Sequence, residues 1–132
     1  MRILIILFLC LPVFSSEFQE LSEVASKYLI KNSNEKEDQK WVKSYQSSYE
    51  TAVNDNENTT EQIYFQRRII DWAASKRNKF KNLEDIDDKT LIEGCRYFKL
   101  MNEKNLELPG QIREELTSEN LDKFLDFLRK RL

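Results

Sequence analysis

Four sets of side chains have the types and spacing to do chemistry or to bind: the thiol of Cys95, the acidic run "EDIDDKTLIEG" at 84–94, the tripeptide Asn58-Thr59-Thr60, and the aromatic row Trp41, Tyr45 and Tyr49. One absence limits them all. The chain contains no histidine, which removes Ser-His-Asp and Cys-His catalysis, His-based zinc sites and the commonest neutral-pH general base. It also lacks a glycine-rich phosphate loop. Paired carboxylates remain, but 23 acidic residues spread over a short chain form pairs by chance. The expectation is a protein that is not an enzyme, with no catalytic residues, no metal site and no cofactor.

The acidic run fails as a calcium loop. If Asp85 were its first position, Lys89 would fill the fifth, Thr90 the glycine position and Arg96 the bidentate glutamate position. Those carboxylates suit the start of a helix instead, with Asp87 or Asp88 as its cap. Cys95 lies on a helical stripe with Leu91 and Phe98, with no imidazole to activate it, so a buried and inert free thiol is expected. The alternative is a disulfide between two chains. Asn58 is an N-glycosylation acceptor if the chain passes through a eukaryotic secretory route. Trp41, Tyr45 and Tyr49 share one helical face, which a core requires. They are also the candidate aromatics for touching a partner or lining a pocket for an apolar ligand.

"FQRRIIDWAASKRNKFK", residues 65–81, carries six basic residues and could suggest nucleic acid. On a helical wheel Phe65, Ile69, Trp72, Ala73 and Phe80 gather on one arc, while the charges scatter around it. "EDIDD" follows at once and cancels most of the local field. No nucleic-acid binding is expected, and the stretch reads as a core helix.

The elements that hold these residues follow from periodicity. Residues 1–15 read as a cleaved signal peptide: Arg2 is the positive start, Ile3 to Leu11 the apolar stretch, and Val13 and Ser15 the small-residue site. Cleavage falls after Ser15, or after Ser16. The apolar run is too short to span a bilayer, so no stable membrane insertion is expected and the location is extracellular. Residues 16–132 form one domain. Loss of Arg2 turns the net charge of −2 into −3, with 20 basic residues against 23 acidic, too near neutral to draw the chain onto polyanions. Loss of Cys10 leaves Cys95 alone, so packing rather than disulfides must supply stability.

Gly and Pro are scarce, with two of each in the whole chain, and helical spacing recurs throughout. Phe18, Leu21, Val24, Ala25, Tyr28 and Leu29 mark a first helix. "KNSNEKED" breaks the pattern before a second, on Trp41, Tyr45, Tyr49 and Ala52. Thr59 and Gln62 have capping-box spacing before a third at about 61–80. A fourth carries Leu91, Cys95, Phe98 and Met101. Residues 111–116 suit a short helix, and Thr117 or Ser118 caps a last one bearing Leu121, Phe124, Leu125, Leu128 and Leu132. The expected fold is all-α, a compact bundle of about five amphipathic helices. By elimination its work is binding, to a protein partner or, alternatively, to a small apolar, lipid-like ligand that it would carry.

Overall fold

Leu21, Val24, Ala25, Tyr28 and Leu29 are all buried, and the helix that carries them, α1 (residues 19–32), turns that stripe toward the centre. The computed structural model of the chain describes residues 19–74, 82–108 and 117–132. The signal segment expected at 1–15, Phe18, the basic residues 75–81 expected to complete the third helix and the short helix expected at 111–116 lie outside the described residues. Among the described residues every regular element is helical, and no helix is long and apolar enough to cross a membrane.

The break after α1 is shorter than its composition suggests. Only Ser33 and Asn34 leave the helical path, and α2 (Glu35–Asp55) begins six residues before Trp41. Asn34 is extended, and its side chain accepts the Glu37 N–H at 2.8 Å, satisfying a donor that the helix start would leave bare. Glu35, Glu37 and Asp38 then sit at the positive end of the helix dipole. Residues 35–40 contain no apolar side chain, so periodicity cannot see them.

α3 (Glu61–Ala74) is capped by Thr60, whose hydroxyl accepts the Ile63 N–H at 3.2 Å. The cap expected at Thr59 thus sits one residue later, and Thr59 is buried. Gln62 is free for another task. Its amide donates to Glu107 O at 2.6 Å and accepts from Glu107 N–H at 2.9 Å, fastening the chain at 107 to the side of α3. Phe65, Ile69, Trp72 and Ala73 form the buried arc.

After a 3-10 turn at Leu83–Asp85, α4 (Asp88–Glu103) starts with Asp87 at its N-cap. Leu91, Cys95, Phe98 and Met101 are buried, and Gly94, Tyr97 and Leu100 widen the stripe. This helix is central. Trp41 of α2 meets Tyr97 edge-on at 5.0 Å, and Phe65 of α3 reaches the same ring. Trp72 packs edge-on against Phe98 at 6.2 Å and donates from its indole N–H to Thr90 O at 3.0 Å. α4 ends in a Schellman turn: Asn105 takes φ 51° and Leu106 N–H returns to Met101 O at 2.9 Å.

Thr117 caps α5 (Ser118–Arg129) by accepting the Asn120 N–H. Leu121, Phe124, Leu125 and Leu128 are buried as the spacing predicts. Leu132 is not; it follows the last turn and stands 44 % exposed. Phe127 joins the core instead, with the Arg131 guanidinium 3.4 Å from its ring centroid. Arg129 pairs with Glu20 of α1, and Lys31 donates to the carbonyls of Arg131 and Leu132. The Arg129 side chain and the last two carbonyls of the chain therefore tie the end of α5 to α1.

Candidate functional site

The aromatic row of α2 turns inward. Tyr45 is buried, Trp41 and Tyr49 are half-buried, and all three pack ring on ring. Trp41 stacks on Tyr45 at 5.7 Å, Tyr45 meets Tyr64 at 5.3 Å, and Tyr49 meets Tyr64 at 5.5 Å. Contacts of this kind hold helices together beyond their buried area. The Tyr45 hydroxyl is buried without a hydrogen-bond partner among the described residues, and desolvation, followed by the nearby Glu61 charge, drives its phenol well above the ordinary tyrosine range. Burial likewise raises Tyr97, to about 12, against the pull of the Arg68 guanidinium that hydrogen-bonds it.

Cys95 is a free thiol, fully buried on α4, and burial pushes it far above its usual pKa. A thiol so placed is a small core hydrophobe rather than a nucleophile. Asn58 stands exposed in the turn between α2 and α3, its N–H donating to Asn56 Oδ1 at 3.1 Å. Among the described residues no group of three or more acidic, cysteine or histidine side chains converges to hold a metal ion.

The described surface carries a concavity that the sequence did not single out, a groove of about 720 Å³ between the end of α1, the first half of α2 and the second half of α4. Leu29, Ile30, Val42 and Leu100 supply its apolar part. Ile30 is 82 % exposed, whereas the other apolar residues of α1 face the core. Scattered exposed aliphatics are ordinary; this one stands on the wall of a groove beside the half-buried Val42, with Leu29 and Leu100 buried at its base.

A polar knot ties the groove together. Arg96 donates from Nε to Asp38 Oδ1 at 2.9 Å and from Nη2 to Ser33 Oγ at 3.0 Å, while Ser33 Oγ donates to Asp38 Oδ1 at 2.9 Å. Both charged side chains are more than four-fifths buried. The knot joins the α1–α2 break to α4 and fixes the groove's width. Farther along, Lys99 and Glu103 pair loosely at 3.8 Å, and Glu35 accepts from the Gln39 amide at 3.2 Å. Lys43 makes no hydrogen bond or ion pair among the described residues.

Nothing local in the sequence marks this site. Asp38 and Arg96 are 58 residues apart, and Ile30 reads as one more apolar residue beside Leu29. Its single cue is that Ile30 falls off the stripe of α1. The chain matches no known protein family, no characterised protein and no solved structure.

Proposed function

We propose that this is an exported, non-catalytic binding protein that docks a protein partner across the groove between α1, α2 and α4. The signal-peptide pattern of residues 1–15 supports export. The observation that carries the docking reading is Ile30, 82 % exposed on the wall of a groove it shares with Leu29, Val42 and Leu100. An apolar centre within a polar rim is the usual anatomy of a protein interface.

The carrier of a small apolar ligand is the second reading, because the groove volume suits such a ligand. The lining favours the first. Ser33, Asp38, Lys43, Gln46, Arg96 and Lys99 are polar or charged, whereas a lipid-like ligand asks for apolar walls. Trp41, Tyr45 and Tyr49, the other candidate pocket lining, are occupied by ring contacts with one another and with Tyr64.

The test is capture from the native extracellular fluid with the mature protein and its Ile30→Glu variant, identifying proteins and lipids by mass spectrometry. A protein partner retained by the wild type and lost by Ile30→Glu, at unchanged thermal stability, is the expected result. Capture indifferent to Ile30→Glu would move the interface elsewhere, and recovery of a lipid alone would favour the carrier.

A further inference from the structure

Two demands fall on one hydroxyl. An Asn-x-Thr acceptor is recognised only with a hydroxyl residue at its third position, and it fails with proline at its second. A sugar transferase acting on Asn58 therefore reads the Thr60 hydroxyl and needs a pliable backbone before it. In the folded chain that hydroxyl is the N-cap of α3, accepting the Ile63 N–H at 3.2 Å, while the Thr60 carbonyl accepts the Tyr64 N–H at 2.9 Å.

The rest of the tripeptide is held as well. Asn56 ends α2 with its N–H on Ala52 O, and only residues 57–59 separate it from the cap of α3. The Asn58 N–H is tied to Asn56 Oδ1 at 3.1 Å and the Thr59 N–H to Asn56 O at 3.0 Å. Asn58 is exposed, but Thr59, between the two residues the enzyme must read, is buried. Closing around all three residues would mean withdrawing Thr59 from its buried place and uncapping α3. Exposure of Asn58 alone does not make the native turn an acceptor.

We propose that Asn58 takes its sugar only while the turn between α2 and α3 is open, Thr60 serving first as the recognition hydroxyl of the acceptor and then as the cap of α3. This order rests on the export reading above. In the reaction Asn58 Nδ2 attacks C1 of the first sugar of a lipid-linked diphosphate oligosaccharide. The Nδ2–C1 bond forms, the C1–O bond breaks and leaves its electron pair on the diphosphate, and one Nδ2 proton passes to a base of the transferase. The exchange does not consume the Thr60 hydroxyl, which closes α3 afterwards. A chain that folds first keeps Asn58 bare, so the presence or absence of the sugar records which event came first.

The experiment incubates purified, sugar-free full-length chain with solubilised oligosaccharyl transferase and the lipid-linked donor, and follows the gain in mass. Export plays no part in that reaction: an extracellular chain retaining Met1 would sink the export reading and leave the measured rates as they are. The unfolded reference is the double variant Cys95→Asp, Phe98→Asp, which sets two carboxylates into the fully buried face of α4; its loss of helix is checked by circular dichroism. The unfolded chain should be modified about tenfold faster than the folded wild type, which reacts only through local opening. Thr60→Asp keeps a cap but loses the acceptor hydroxyl, so it should hold the wild-type thermal midpoint and, in the unfolded background, take no sugar. Thr60→Ala should lose both properties and Thr60→Ser neither. Equal rates for folded and unfolded chains, no modification of the unfolded chain, or a Thr60→Asp midpoint as low as that of Thr60→Ala would overturn the proposal.

Discussion

The indole of Trp72 rests on the bare Cα of Gly94: a Cβ built on that glycine would stand 2.6 Å from Trp72 Cη2, 2.9 Å from Cε2, and closer still to Cζ2. The indole cannot easily yield, because its N–H is tied to Thr90 O and its ring is packed against Phe98 and Phe124.

Gly94→Ala therefore tests the packing of α3 on α4 through the sign of its effect. Helix propensity alone would have alanine stabilise a helix interior by about 1 kcal/mol. The overlap with Trp72 should win and destabilise the fold by roughly 1–3 kcal/mol. Thermal or urea unfolding of the two proteins decides it; a more stable variant would show that the helices stand farther apart.

The tyrosines of the core make stability sensitive to alkali. In an unfolded chain a phenol ionises near pH 10, whereas burial holds Tyr97 protonated to about 12 and raises Tyr45 as well. Above pH 10 the unfolded state thus binds fewer protons than the native state, and stability falls as pH rises. The contribution is complete below pH 10 and disappears as pH climbs through 12. Urea midpoints between pH 8 and 11 should show the decline. Tyr45→Phe, which also removes an orphaned buried hydroxyl, should soften it; a flat profile in the wild type would contradict this burial.

α5 offers a paired test of core against surface. Leu128 is fully buried and Leu132 is 44 % exposed beyond the last turn. Leu128→Ala should cost about 2–5 kcal/mol, while Leu132→Ala should stay within about 0.5 kcal/mol of wild type. Equal midpoints for all three proteins would mean that α5 detaches without unfolding the rest.

How far such contrasts can be read from sequence depends on what produces them. Burial with a regular period is legible, because only a helix brings Leu91, Cys95, Phe98 and Met101, or Leu121, Phe124 and Leu128, onto one side. Features set by single hydrogen bonds escape it. The start of α2 depends on the side chain of Asn34, and the cap of α3 falls on Thr60 rather than its neighbour Thr59. The groove escapes for another reason: its walls come from residues 29–46 and 96–103, and no local pattern relates a solvent-facing Ile30 to an arginine on α4. Nor does spacing reveal that Gly94 is a docking point for an indole.

The length of α2 has a bearing on what the two ends of the molecule can do. Its first three turns wall the groove as far as Gln46, and the helix continues nine residues to Asp55 before the turn that exposes Asn58. That remainder is about 14 Å of rigid rod. A sugar chain attached at Asn58 would stand in the turn beyond that rod, past the last groove residue of α2. It would act as a bulky shield over the turn between α2 and α3, guarding that turn from proteases. The groove proposed to meet a partner would stay bare, so trimming or enlarging the sugar should change the lifetime of the protein without changing that proposed contact.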